Sequence, residues 1–363
     1  MNTQRLIRTL PSDIIENIVW RLPIEEIVRS SILSKDWRYN WTKIPKVAFT
    51  EDFLKNKVYK NSCKRRSKFF SAIYQFLLLH QEPIVDFTLS SSHIQTSESH
   101  CVKINQILLH LSRKNTVKKL HLTCECDLPS SIFSFHQLTD LYLSECSINH
   151  PPTFNGFGNL KTLCLEYVDI YKKSLMHILS NNPLKSFTML THGDSIMIFN
   201  DDEYGTMDDL FNSIPVIEHL TLDVWDCQYF GRGVIPREVA TSLVHLKYLR
   251  LQGMCFLENQ WFRFLLLMLR SSPNLEKLGL QMLCEHDDHE DLYSVTMQDC
   301  SDIWLEHLIE FEITSYLNKK HDLEFVKLIL AKSPVLKKVR YYQDTGLKLL
   351  ETLLSPPTCI TNG

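Results

Sequence analysis

Eleven cysteines and 15 histidines in 363 residues could supply nucleophiles, general bases or metal ligands, so their spacing has to decide which chemistry is available. The densest cluster is His286-Asp287-Asp288-His289-Glu290-Asp291. It has neither the H-E-x-x-H spacing of a zinc helix nor the alternating oxygen ligands of a calcium loop, and no cysteine pair lies beside it. It reads as an acidic surface loop, and Asp201-Asp202-Glu203 reads the same way. Cys124 and Cys126 are separated by one residue, where a redox or zinc pair needs two. No local signature joins a cysteine to a histidine as nucleophile and base. Gly156-Phe157-Gly158-Asn159 sits before a strand, not between a strand and a helix, so it is a turn and not a phosphate loop. The sequence predicts no catalytic residue, no metal site and no cofactor.

With chemistry set aside, surfaces remain. The apolar fraction is 44%, the charged fraction 22% and the net charge −3, which favours neither nucleic acid nor a membrane surface as partner. The start, MNTQRLIRTLPSD, has no long apolar core, and no run of 18 apolar residues occurs. The odd, scattered cysteines read as reduced thiols, which predicts a cytoplasmic or nuclear protein.

Leu10 to Trp41 reads as three short helices in succession. Pro11-Ser12-Asp13 is a helix start, after which Ile14, Ile15, Ile18, Val19 and Leu22 recur at helical spacing. Pro23 ends that helix and can open the next, whose apolar face is Ile24, Ile27, Val28 and Ile32. Ser34 can cap a third helix bearing Trp37 and Trp41 one turn apart. Roughly 40 residues cannot bury enough surface to stand alone. The apolar residues cover more than one face, so the segment either caps a larger core or docks on another protein.

The succession Leu10-Pro11, helix, Leu22-Pro23, helix, Leu33-Ser34-Lys35, Trp37-Arg38 and Trp41 to Pro45 resembles the F-box in its plant form, over residues 5–48. The resemblance implies docking on a Skp-type adaptor, and through it a cullin. It implies an adaptor-binding face of Leu10, Pro11, Ile14, Leu22, Pro23, Ile27, Leu33 and Trp37, some of which must instead tie the helices together.

Residues 49–68 read as a basic linker, in which Lys64 to Lys68 is dense and forms the polar face of an oncoming helix over Phe69 to His80. An apolar-x-x-apolar-x-apolar pattern then recurs ten times, from Ile84-Phe87-Leu89 to Leu336-Val339-Tyr341, at intervals of 21 to 33 residues. Each copy fits a short strand whose second and third apolar residues point inward. Helical stretches lie between copies at His100 to Leu111, Lys172 to Ser180, Met207 to Ser213, Glu258 to Arg270 and Leu323 to Ala331. Pro183, Pro215, Pro273 and Pro334 stand ahead of strands. Leu138 to Cys146 matches the full L-x-x-L-x-L-x-x-C consensus. The expectation is an α/β fold: the N-terminal helices, then an irregular leucine-rich-repeat solenoid over residues 69–303 and onward. Residues 304–345 resemble the FBD region of plant F-box proteins while continuing the repeats, and Leu347 to Leu354 reads as a covering helix.

Residues that alternate with the buried ones must line the open face of the strands. They include His121, Tyr142, Cys164, Glu166, Thr221, Asp223, Arg250, Gln252, Gln281, Glu312 and Arg340. Of these, Tyr142, Glu166, Asp223, Arg250, Gln252, Gln281, Glu312 and Arg340 are expected to contact a protein target, since mixed charge suits a protein better than a phosphate-rich partner. Together the resemblances imply the non-catalytic substrate receptor of a Skp–cullin–F-box ubiquitin ligase. The alternatives are a repeat scaffold outside any ligase and a receptor that gathers a small molecule with its target.

Overall fold

All ten repeat copies form strands, because each offers two β-tolerant apolar residues at period 2 between polar ones. The computed structural model describes residues 14, 18, 22, 24–30, 40–50, 62–91, 98–148, 157–190, 207–223, 241–254, 259–282, 300, 302–315, 320–343 and 348–352. The chain divides into two compact units, Met1–Asn182 and Pro183–Gly363.

In the first unit, β1 (Lys46–Phe49), β2 (Asp86–Ser90), β3 (Lys119–Thr123), β4 (Asp140–Ser144) and β6 (Thr162–Glu166) lie side by side, each pair parallel. The pattern did not announce β1, which follows directly on the N-terminal segment and supplies the first strand of the sheet. The inward residues Val47, Phe49, Phe87, Leu89, Leu120, Leu122, Leu141, Leu143, Leu163 and Leu165 are at most 1% exposed. Parallel neighbours cannot be joined by hairpins, so the connections cross over. Helix α2 (Ser62–Leu79) links β1 to β2, and α3 (Glu98–Lys114) links β2 to β3. Lys64 to Lys68 therefore occupy the first turns of α2, while residues 51–61 lie outside the described ones.

The shortest repeats have room only for a 3₁₀ turn at Ser130–Ser134 and for β5 (Ser147–Ile148) and β7 (Asp169–Ile170), which pair with each other. Glu145 and Tyr167, at φ 56° and 57°, turn the chain out of β4 and β6 at equivalent points. Cys146, at the consensus position, and Val168, its counterpart, are buried directly after these turns. The unit ends with α4 (Lys172–Ser180).

In the second unit, β8 (Ser186–Leu190), β9 (His219–Asp223), β10 (Tyr248–Met254), β11 (Lys277–Met282), β12 (Glu310–Ser315) and β13 (Lys338–Gln343) are parallel neighbours. Helices α5 (Met207–Ser213), α6 (Asn259–Ser271) and α7 (Lys320–Lys332) cross between strands. Helix α6 is apolar nearly all round, and Trp261, Phe264, Leu265, Leu267 and Met268 are each buried. Pro215, Pro273 and Pro334 hold the second position of tight turns closed by Ile217→Ile214, Leu275→Ser272 and Leu336→Ser333 backbone hydrogen bonds of 3.1 to 3.3 Å. Proline's fixed φ suits that position.

The covering helix expected over Leu347 to Leu354 is not what forms. Lys348–Thr352 is a strand, β14, antiparallel to β13. A short leucine-rich run fits either structure by pattern, and here the unpaired N–H and C=O groups along the outer side of β13 recruit it into the sheet.

Candidate interaction surfaces

Two surfaces follow from this frame. At the N-terminus, Ile14 and Ile18 are helical, 41% and 37% exposed, and Leu22 follows after four more residues at 37%. This four-residue spacing leaves a row of large aliphatic side chains in water. Val28, on helix α1 (Ile24–Ser30), is also exposed. Ile27 behaves differently: it is 3% exposed, on a helix packed against β1 and the 3₁₀ turn Asn40–Lys43, so it belongs to the chain's own packing. Trp41 stands in that turn, its ring 5.4 Å from Phe76 on α2. Nearby His80 is buried, and its Nε2 lies 2.9 Å from the Ile44 carbonyl. Leu10, Pro11, Pro23, Leu33 and Trp37 lie outside the described residues.

The second surface is the open face of the strands. Parallel pairing aligns alternate residues into rows that run across the sheet. In the first unit one row is Ala48, Thr88, His121, Tyr142, Cys164. His121 and Tyr142 stack with centroids 4.0 Å apart and planes 8° from parallel. Burial is the main cause that holds the His121 pKa below its ordinary value, which keeps the stacked ring neutral. A neighbouring row alternates in sign, Lys46, Asp86, Lys119, Asp140, with Lys46 and Asp86 3.5 Å apart. Glu166 is half-buried, and the Cys164 thiol donates toward it at 3.6 Å.

In the second unit the corresponding row is Thr188, Thr221, Arg250, Gly279, Glu312, Arg340. Gly279 decides its shape. Without a side chain there, Arg250 lies across β11, its Cγ 3.4 Å from where a Cβ would stand. It donates to Glu312 at 3.2 Å, two strands away. Arg340 approaches the same carboxylate at 3.5 Å and Glu310 at 3.7 Å, while Lys277 pairs with Glu310 at 3.3 Å. Burial works against the Arg250 charge, and the Tyr248 hydroxyl and Glu312 outweigh it, raising its pKa above the ordinary value. A depression of about 390 Å³ opens at Gly279, lined by Lys277, Glu310, Glu312 and Arg340 with His219, Tyr248 and Lys338. Gln252 and Gln281 are half-buried in the next row. Asp223 departs from expectation. It alternates with the open-face residues but is 7% exposed and engaged within the chain, so it is covered there.

Cys101, Cys124 and Cys126 lie together. The Cys124 and Cys126 sulfurs are 3.3 Å apart. Burial pushes Cys101 up to about 11, and Cys126 is raised first by its hydrogen bond with Cys124 and then by burial. Protonated thiols are poor nucleophiles. Among the described residues no three His, Cys, Asp or Glu side chains are grouped to hold a metal ion, and no helix is long and apolar enough to cross a membrane. The His286–Asp291 and Asp201–Glu203 clusters lie outside the described residues.

Pattern reading passed over Gly279 and Lys338. Gly279 was nonetheless visible, since it is the one repeat copy with glycine between its two inward residues.

Three family models match the chain: the F-box domain at residues 7–46, the LRR repeats of the FBD-associated F-box protein At5g56370 at 104–200, and FBD at 304–340. Among curated relatives from Arabidopsis thaliana, F-box/FBD/LRR-repeat protein At1g13570 is 28% identical over 92% of this chain and 90% of its own. FBD-associated F-box protein At5g56370 is 25% identical over 78% of this chain and 60% of its own, and F-box/FBD/LRR-repeat protein At2g04230 is 24% identical over 79% and 76%. A solved leucine-rich repeat-containing protein, LegL7 from Legionella pneumophila, aligns loosely at TM-score 0.36 and 14% identity over 84% of this chain and 92% of that one.

Proposed function

We propose that this chain, a member of the F-box/FBD/LRR-repeat family, is the substrate-recognition subunit of a Skp–cullin–F-box ubiquitin ligase. The observation that carries the reading is the exposed row Ile14, Ile18, Leu22 inside the stretch that matches the F-box. Large aliphatic side chains left in water at regular spacing suit the groove of a helical partner, because burying each one on binding is worth roughly 1.5–3 kcal/mol. Ile14 and Leu22, with the expected contacts Leu10, Pro11, Pro23, Leu33 and Trp37, would meet a Skp-type adaptor and so reach a cullin.

The chain's own part is proximity without chemistry. One end holds the adaptor while the strand faces hold a target protein, so that the target's lysines meet a separate conjugating enzyme at high local concentration. Tyr142, Glu166, Arg250, Gln252, Gln281, Glu312 and Arg340 are the proposed target contacts. A repeat scaffold outside any ligase has one observation in its favour: buried Ile27 and the Trp41–Phe76 contact tie the N-terminal segment to the first unit, as a cap would be tied.

Co-purification with a plant Skp-type adaptor separates the two. The wild-type chain is expected to form a stable complex, and an Ile14→Asp, Leu22→Asp variant, altered only at exposed positions, to lose it while keeping its circular dichroism. Capture of neither with both folded would leave the scaffold reading, whereas equal capture of both would keep the adaptor and place its contact away from Ile14 and Leu22.

A further inference from the structure

Three cations, Lys277, Lys338 and Arg340, line the depression at Gly279, and a fourth, Arg250, lies across Gly279 itself, against two carboxylates, Glu310 and Glu312. In a chain of net charge −3 this is a local reversal of sign. The two carboxylates are fully subscribed: Glu312 lies between both arginines, and Glu310 is shared by Lys277 and Arg340. Lys338 has no ion pair among the described residues, and the Lys277 side chain is 50% exposed. Among the described side chains, the cationic capacity of the site therefore exceeds what the carboxylates use.

The geometry gives the shape of the missing anion. Lys277 and Lys338 stand on β11 and β13 either side of Glu310, two strand spacings or about 10 Å apart at the backbone, at roughly 4.8 Å per strand. An extended peptide covers that distance in about three residues, whereas a single small oxyanion bridges only cations that converge, as the two arginines do on Glu312. Gly279 leaves the room in which Arg250 lies flat across β11, and Tyr248 offers an aromatic wall. The resident Glu310 and Glu312 disfavour a polyphosphate backbone, whose charges would fall on them at every register. Carboxylate side chains at every second position of a peptide can reach the cations and avoid them.

We infer that this depression, to which the FBD-matching stretch 304–340 contributes Glu310, Glu312, Lys338 and Arg340, receives an extended acidic segment of a protein partner, with Lys338 and Lys277 as its first anchors. The inference rests on the target-binding reading of the repeats and names the chemistry of the target.

The test is fluorescence anisotropy of the full chain with a labelled peptide containing six consecutive glutamates, beside the same peptide with six glutamines. The glutamate peptide is expected to bind about tenfold or more tightly than its glutamine counterpart and to weaken as salt rises. Lys338→Glu is expected to cost about tenfold. Gly279→Leu, which displaces Arg250 from across β11 and crowds the depression without changing charge, should cost a similar factor, while Glu312→Gln should raise affinity about threefold. The inference is overturned if the glutamine peptide binds as well, if neither Lys338→Glu nor Gly279→Leu alters binding, or if inorganic phosphate or a single-stranded oligonucleotide displaces the peptide at lower charge concentration than free glutamate peptide does. The same variants carried through the adaptor co-purification keep the two readings apart, because loss of peptide binding with adaptor capture intact concerns this site alone.

Discussion

On the face of β1 to β4 and β6, the row Thr88, His121, Tyr142, Cys164 is small or aromatic and carries no formal charge once His121 is held neutral. The matching row on β10 to β13 reads Arg250, Gly279, Glu312, Arg340. Beneath both rows, as far as β12, the inward residues are aliphatic or phenylalanine and at most 2% exposed, while Val339 and Tyr341 on β13 are half-buried. The difference shows how a repeat fold separates its two tasks. Period-2 alternation fixes which residues carry stability, and the residues between them are free to set partner chemistry. One surface offers a stacked aromatic pair, and the other a charged cleft created by a missing side chain.

The strongest way to break this contrast is to remove the core under one row only. Phe311, 1% exposed beneath β12 and 6.4 Å from Phe325 on α7, is expected to cost about 3–5 kcal/mol when changed to alanine. Phe87→Ala, equally buried beneath β2, should cost about the same in urea denaturation. The two variants should differ in what else they do. At temperatures where both remain folded, Phe311→Ala weakens acidic-peptide binding and Phe87→Ala leaves it unchanged. Equal loss in both would mean that the rows do not act separately.

Much of this was legible in the sequence for one reason: the repeat is a local pattern. Ten strands, the helices at Lys172–Ser180 and Met207–Ser213, and the buried Cys146 all follow from residues a few positions apart. What was not legible depends on long-range neighbours. Lys348–Thr352 became a strand because β13 left an edge to pair with. Asp223 alternates correctly yet is buried, since alternation says which way a side chain leaves the strand and not what covers it afterwards. Gly279 became informative only when Arg250 and Glu312 were found on either side of it, 62 residues apart in sequence.

A second, smaller contrast should appear in the pH dependence. His80, His110 and His121, all in the first unit, have pKa values lowered chiefly by burial. For His80 the physical reason is plain: Nε2 is satisfied by the Ile44 carbonyl, and the buried Nδ1 has no acceptor for a second proton. The unfolded chain therefore takes up protons first as pH falls through the ordinary histidine value near 6.5. The stability contributed by these neutral rings is fully present above about pH 6.5 and is lost as pH drops from there toward the folded-state values. Urea midpoints measured at about pH 7.5 and about 5.5 should fall toward acid, and His80→Gln should flatten the slope. An unchanged slope would assign the dependence to other groups.

The finest test of the contrast is Glu312→Gln, where stability and binding are expected to move in opposite directions. The carboxylate sits between Arg250 and Arg340 with all three side chains 28% to 29% exposed, so water screens the pairs and the loss in stability should be only about 0.5 kcal/mol. Removing the charge also releases both guanidinium groups, which lie on a face already short of anions, and an incoming carboxylate then meets two unneutralised cations. A destabilised chain that binds the glutamate peptide more tightly would show that Glu312 occupies the partner's place. Weaker binding in the same variant would show instead that Glu312 is needed to hold the two arginines where a partner can reach them.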